Sequence, residues 1–339
     1  MEEKKQTAMG GKVKKMLASN IPLLGLILII VVFSFLTDGL LLKRNNVKAI
    51  INQSFLLMIA CLGSVFIFLQ GGVDLSMTNA IGMCSVMGAF ALNAGGLLPC
   101  ILAILATGLV LGSINGFIYA NTKISPFILT LAVNLVLDGL NYTVTDQQAV
   151  IPIKRAWQKM FNGMDVKIGV LIVFGLICYY LYGFTRFGKE SRAVGAGQEA
   201  TRQSGVNVKK VKFLAFLFTG LTSAVYAFMA MMKGGGGAPA AGASVGFNVM
   251  TAMILGGSTM DGGMNVNFKS AIVGSLITVV LTNGLSMVGM TATLQEVVRG
   301  VIFVVVVVIA IRARDKQEGN RYVIRKKKKI TEGTPSIVN

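Results

Sequence analysis

The chain contains no histidine. That excludes a Ser-His-Asp triad, although Gly242-Ala243-Ser244-Val245-Gly246 matches G-x-S-x-G, and it excludes H-E-x-x-H zinc chemistry. No G-x-x-x-x-G-K-[ST] occurs either, so no P-loop cradles nucleotide phosphates, and any nucleotide energy must come from another subunit. Gly195-x-Gly197-x-x-Ala200 imitates a dinucleotide fingerprint, but it sits in a basic loop with no preceding strand and is discounted. The four cysteines, Cys61, Cys84, Cys100 and Cys178, are scattered through apolar runs. They read as small packing residues rather than metal ligands or disulfides. The chain is therefore expected to have no catalytic residues, no metal and no cofactor. Charge is scarce too: 14% of residues are charged, against about 25% in a soluble domain.

What fills the space is apolar. Of 339 residues 54% are hydrophobic, and the mean hydropathy is +0.70. The first apolar run, Ile21 to Leu36, has no signal-peptide cleavage pattern and is followed by many more, so it reads as a retained helix. The expectation is an all-α, polytopic membrane bundle. Ten spans are segmented, at about 21–38, 47–70, 79–95, 97–119, 126–145, 167–184, 213–232, 247–259, 269–288 and 295–312. All but the eighth reach the roughly 17–25 residues a crossing needs, and the eighth is short enough to be broken or re-entrant. Basic residues concentrate in the tail 1–20, the loop 185–212 and the tail 313–339, flanking a permease-like domain over 21–312. By the positive-inside rule those three segments, and so both termini, are cytoplasmic. The run Arg325–Lys329 is then expected to meet anionic lipid headgroups; without interleaved aromatics it does not read as a nucleic-acid tail.

Polar interruptions carry the functional signal. Gly-Gly-Val-Asp-Leu-Ser at 71–76 follows the second span directly and breaks a membrane helix with an acid, Asp74. Irregular backbone survives at membrane depth only inside protein or beside water, and charges there face the bundle interior or a polar path. A cytoplasmic turn with a solvated Asp is the plainer alternative. In the fifth span Thr130, Asn134, Asp138, Asn141 and Thr145 recur at spacings of four, four, three and four, forming one polar stripe. The stripe lines a translocation path or supplies interhelical hydrogen bonds. Gly108-x-x-x-Gly112-x-x-x-Gly116 in the fourth span is a flat face for close helix packing and is given no chemistry. The loop 185–212 is long for a compact bundle. It contains a short helix candidate over 198–203 closed by Ser204-Gly205, and reads as a docking element or a solvated connector.

The chain resembles the membrane permeases of ribose-type (carbohydrate-uptake class 2) ABC importers. The resemblance rests on Gly-Gly-Val-Asp-Leu-Ser (71–76), Asn-Gly-Phe-Ile-Tyr-Ala (115–120), Ile-Ser-Pro-Phe-Ile-Leu-Thr-Leu-Ala (124–132) and Tyr-Thr-Val-Thr-Asp (142–146). It continues through Phe-Gly (187–188), Gly-Gln-Glu-Ala-Thr-Arg-Gln-Ser-Gly-Val-Asn-Val (197–208), Leu-Gly-Gly-Ser (255–258) and Asn-Gly-Leu (283–285), in order over roughly residues 45–300. It implies that 197–208 seats the ATP-binding subunit, with Glu199, Ala200 and Gly205 as contacts and Arg202 joining Glu199 as a rim charge. It also implies an extracytoplasmic sugar-binding protein or lipoprotein, a second permease copy (identical or a paralogue), and a monosaccharide such as ribose as cargo. Two departures stand out: Asp138 where such permeases often carry Arg, and Asp261-Gly262-Gly263 followed by Met264-Asn265-Val266-Asn267 rather than more glycine. Gly-Gly-Val-Asp after the second span and Gly234–Gly237 after the seventh suggest an inverted repeat. The competing readings are a proton-coupled secondary transporter using Asp74 or Asp138, and a channel or scaffold without coupling.

Overall fold

The structure, a computed structural model, describes residues 21–259, 262, 263, 266–308 and 312. The tails 1–20 and 313–339, with the Arg325–Lys329 run, lie outside the described residues, as do Asp261, Met264 and Asn265 of the second glycine motif. The chain forms two units, Met1–Met290 and Thr291–Asn339; the second contributes one helix over 292–308.

In the first unit α1 (Ile21–Leu36) leads through a 3-10 turn (Leu40–Leu42) to α2 (Arg44–Leu69), α3 (Met77–Gly95), α4 (Leu97–Asn121) and α5 (Pro126–Val144). A short strand β1 (Ile151–Pro152) precedes α6 (Arg155–Phe161) and α7 (Met164–Phe184). Next come α8 (Arg186–Ala196), α9 (Gln198–Gln203) and α10 (Val208–Gly234). Strand β2 (Gly236–Gly237), a 3-10 turn (Pro239–Gly242), α11 (Val245–Leu255) and α12 (Phe268–Met287) complete it, and the helix over 292–308 is α13. Two strand residues pair on each side, antiparallel, with Ile151 opposite Gly237.

Among the described residues six helices are long and apolar enough to cross a membrane: α2, α4, α5, α7, α10 and α12. The molecule is an all-α, multi-pass membrane protein. Helix α1 and the segment Pro239–Leu255 are shorter apolar helices, and the latter is broken at Ser244, which has φ 59°. Hydropathy alone does not tell which span lies at the centre; burial does. From Ser54 onward helix α2 is almost wholly apolar and buried, and the helix packs against α7, α8, α10, α11 and α12, with Ile59, Leu62, Phe66, Phe68 and Leu69 sealed from solvent. Helices α4, α5 and α7 expose most of their length, and residues such as Leu135, Val136 and Leu176 make their outer surfaces largely apolar.

The glycine stripe acts as a packing surface. A Cβ on Gly112 would lie 2.6 Å from the Phe216 carbonyl oxygen, and one on Gly116 would lie 2.8 Å from that of Phe213. Gly108 and Gly220 face each other's backbones in the same way, so α4 and α10 cross with almost no side chain between them.

After α10 the chain turns back along α3. A Cβ on Gly82 would meet Pro239, the Ser85 hydroxyl donates to the Ala238 carbonyl (3.0 Å), and the Gly246 amide donates to Thr78 Oγ1 (3.1 Å). Irregular backbone at this depth is thus enclosed by protein, as a membrane requires.

Candidate functional site

The break between α2 and α3 is a buried knot. Residues 72–77 are all buried, and Asp74 retains 8% exposure, so the solvated-turn alternative fails. The carboxylate faces the start of α3: Oδ1 accepts from the Ser76 amide (2.9 Å) and hydroxyl, and Oδ2 accepts from the Thr219 hydroxyl on α10 (3.1 Å). An acid before a helix N-terminus is favoured by the first-turn amides and the helix dipole, which is how α3 restarts after the two glycines. Asn115 on α4 donates to Ser76 Oγ (2.8 Å). Asn115 lies six residues from the end of α4, about 9 Å along the axis, so the knot packs more than one turn inside that helix.

Helix α5 closes the knot from the other side. Thr130 Oγ1 accepts from the Leu75 amide (3.1 Å) and approaches the Val73 carbonyl (3.3 Å). Asn79 donates twice to Asn134: its backbone amide to Oδ1 (3.3 Å) and its Nδ2 to the carbonyl (2.9 Å). Asn141 Nδ2 donates to the Asn79 carbonyl (2.9 Å), and Thr145 bonds back to its own helix. Thr130, Asn134 and Asn141 therefore hold the restart of α3, whereas Asp138 is exposed on the outer surface of α5. At 100° per residue the stripe spans about 80°, with Thr130 at one edge and Asp138 at the other. That rotation separates the charge from the amides.

These positions predict different sensitivities. Asn141→Ala removes a donor from a fully buried site and is expected to cost about 1–3 kcal/mol of stability. Asp138→Ala, at an exposed position, is expected to change stability by no more than about 0.5 kcal/mol. Thermal unfolding of the two purified variants compares them, and an equal loss in both would mean Asp138 belongs to the fold.

The segment 185–212 is almost wholly helical. Thr185 caps α8, accepting from the Gly188 amide (3.5 Å), and Ser191 and Val194 turn inward. Helix α8 grips the end of α2: Phe187 stacks on Phe66 with ring centroids 4.7 Å apart, and Gly195 lies against the Leu69 carbonyl. Gln70 Nε2, at the mouth of the break, donates to the Val211 carbonyl (3.1 Å) and approaches Ser191 Oγ (3.4 Å). Arg192 lies over the Tyr182 ring at 4.0 Å, and the Tyr182 hydroxyl donates to the Val266 carbonyl (3.0 Å).

Helix α9 hangs from α8 through Thr201, whose hydroxyl points at the Ala193 (2.7 Å) and Gly197 (2.8 Å) carbonyls. The rest of α9 is exposed. Glu199 and Arg202 pair with each other at 2.7 Å while remaining 65–70% exposed, an interaction worth about 0.3–0.5 kcal/mol. Ala200 is exposed beside them, and Gly205 at φ +83° makes the left-handed turn into α10. Glu199, Ala200, Arg202 and Gly205 thus share one exposed surface, apart from the knot but joined to it through Gln70.

Sequence reasoning missed Gln70, Asn79, Asn115, Ser191 and Thr219. Asn115 and Thr219 sit in mostly apolar runs, Gln70 ends one, Asn79 follows Thr78 at the start of α3, and Ser191 lies between Glu190 and Arg192; only Asn115 stood inside one of the motifs above, as its first residue.

Residues 46–307 match the family described as branched-chain amino acid transport system / permease component. The chain is similar to the ribose import permease protein RbsC of Escherichia coli (strain K12), with 26% identity over 299 residues covering 85% of this chain and 92% of that protein. It is also similar to the ribose import permease protein RbsC of Bacillus subtilis (strain 168), 28% identical over 85% of this chain and 91% of that one. The D-allose transport system permease protein AlsC of Escherichia coli (strain K12) is 28% identical, with coverages of 84% and 89%. No solved structure matches at a significant level.

Proposed function

The chain belongs to the branched-chain amino acid transport system / permease component family, and we propose that it is the membrane-spanning permease subunit of an ATP-driven ABC importer of a monosaccharide such as ribose. The match over 46–307 carries this reading, because it spans both the knot and the exposed α8–α9 pair. Sugar is favoured over amino acid because the relatives described above import ribose and allose.

In this reading the ten spans are α1 to α5, α7, α10, the broken segment 239–255, α12 and α13, with both termini cytoplasmic. The breaks after α2 and α10 would be the corresponding interruptions of an inverted repeat, which their contact through Thr78 and Gly246 supports. The ATP-binding subunit seats on α9 around Ala200, and the extracytoplasmic binding protein meets the opposite face. A second permease copy, identical or a paralogue, packs alongside, and the basic tail beyond residue 312 meets anionic headgroups.

The path runs along α5. A carboxylate facing lipid near a helix centre costs about 2.5–3.5 kcal/mol, so the surface carrying Asp138 faces water or the second copy. Thr130, Asn134, Asn141 and Asp74 stand behind that surface and fix the depth at which α3 restarts. Motion imposed on α8 by the ATPase reaches the break through Phe66–Phe187, Gly195–Leu69 and Gln70, and passes to α5 through Thr130 and Asn79. Nucleotide and sugar then bias one shared element, which is what coupling requires.

The test is uptake of labelled ribose by proteoliposomes holding the permease, its ATP-binding subunit and its binding protein. Uptake is expected to need ATP inside the ATPase-facing compartment and to be indifferent to a protonophore. Uptake that survives ATP depletion and collapses with the proton gradient overturns the proposal in favour of a secondary transporter.

A further inference from the structure

Two lysines outside the knot meet with no counter-ion among the described residues. Lys167, the fourth residue of α7, is 4% exposed, and its Nζ donates to Asn52 Oδ1 on α2 (2.7 Å). Lys233, the penultimate residue of α10, donates to the backbone carbonyl of the same Asn52 (3.3 Å). Both ammonium groups lie over one Phe55 ring, 5.5 and 6.0 Å from its centroid. Gln158 of α6 closes the side by donating to the Lys233 carbonyl (3.4 Å). Among the described residues neither lysine forms an ion pair, and Asp165, two residues before Lys167, is exposed and pairs with neither. Two like charges held around one asparagine, one of them almost fully buried, repel each other in a medium that screens them poorly.

We propose that Lys167 and Lys233, fixed by Asn52 over Phe55, form a binding site for a phosphate group at the headgroup level of the membrane. The level follows from the helix ends, since one lysine lies within a turn of the start of α7 and the other at the end of α10. It holds whichever way the chain faces, and it stands independently of the cargo and of the ATPase. Half-buried Trp157 on α6 has the amphipathic ring that favours the membrane–water boundary. Below Lys167 the outward face of α7 is apolar, with Ile168, Ile172 and Val173 exposed, as an acyl chain would require. Lys154, Arg155 and Lys159 add exposed positive charge on the same short helix region. Lys233 is only half-buried, which leaves the pair an open side. The phosphate comes from a phospholipid headgroup or from free phosphate.

The experiment uses the full-length protein and three variants: Lys233→Met, Lys167→Met/Lys233→Met, and Lys167→Arg/Lys233→Arg. Native mass spectrometry measures retention of phosphatidylglycerol against phosphatidylcholine, and thermal unfolding in phosphatidylcholine discs is followed with added inorganic phosphate. All variants keep the basic C-terminal tail, so differences belong to the pair. For a lipid source, phosphatidylglycerol affinity is expected to fall about fivefold for each lysine removed and to survive in the double arginine variant. For a soluble source, inorganic phosphate raises the unfolding temperature of the wild type and of the arginine variant but not of the methionine variants. If phosphatidylglycerol affinity is the same in all four proteins and inorganic phosphate shifts none of them, the site does not exist.

Discussion

Gly112→Leu is expected to leave the protein unable to accumulate in membranes. A Cβ there lies 2.6 Å from the Phe216 carbonyl oxygen and 3.1 Å from the Gly220 Cα, so the obstruction is backbone and cannot rotate away. Relief requires α4 and α10 to separate along the whole stripe, which also pulls Asn115 from Ser76 and Thr219 from Asp74. Over-packing costs about 1–3 kcal/mol where side chains can yield, and more where they cannot. Set against a total stability of about 5–15 kcal/mol, a forced separation of two helices in backbone contact is not survivable. Gly112→Ala should accumulate at reduced level, and Gly169→Leu, at a glycine of α7 with nothing near its Cβ position, should accumulate normally. Immunoblotting of membranes and size-exclusion of the extracted protein read the series. Wild-type abundance and elution for Gly112→Leu would show that α4 and α10 do not cross at this point.

That crossing was legible because glycines at a spacing of four have one obvious structural use. The long apolar helices were legible for a similar reason: apolar runs fix where they lie to within a few residues, as for α4 and α5, two of the six described helices able to cross a membrane. The segment 185–212 was legible only in part: the helix expected over 198–203, closed by Ser204-Gly205, is α9, whereas α8 was not foreseen. Gly188, Gly195 and Gly197 interrupt any apolar pattern in and just after α8, and Gly195 is small because the Leu69 carbonyl occupies the space of its side chain. Phe187, Ser191 and Val194 do recur at helical spacing, but their partners on α2 and α10 are over a hundred residues away or on the other side of the chain's path. The stripe on α5 shows a second limit. Spacing placed five polar residues on one face, whereas an 80° arc is wide enough for one edge to be buried and the other exposed, and only the neighbouring helix decides which. The lysines at 167 and 233 lay further out of reach, since nothing local announces that two distant basic residues share one asparagine.

Ala200→Trp is expected to uncouple the permease from its ATP-binding subunit while leaving its fold intact. Ala200 is exposed on α9, so the substitution changes stability by no more than about 0.5 kcal/mol. Helix α9 has six residues and is fastened to α8 mainly by Thr201, which leaves its outer face as the only surface a soluble partner can grip. Bulk at a small residue in such a contact costs about 1–3 kcal/mol, or roughly 5- to 150-fold in affinity. Charge reversal at Glu199 acts differently. Glu199 is paired with Arg202 in the free protein, so Glu199→Lys breaks a weak, screened interaction and places two positive groups on the rim. Its defect should be milder and change with ionic strength, whereas that of Ala200→Trp should not. Co-purification with the ATP-binding subunit at low and high salt separates the two, and docking of the binding protein on the opposite face should be spared in both. If Ala200→Trp keeps the ATPase and transports at the wild-type rate, α9 is a connector, and the force that moves α8 must enter the molecule elsewhere.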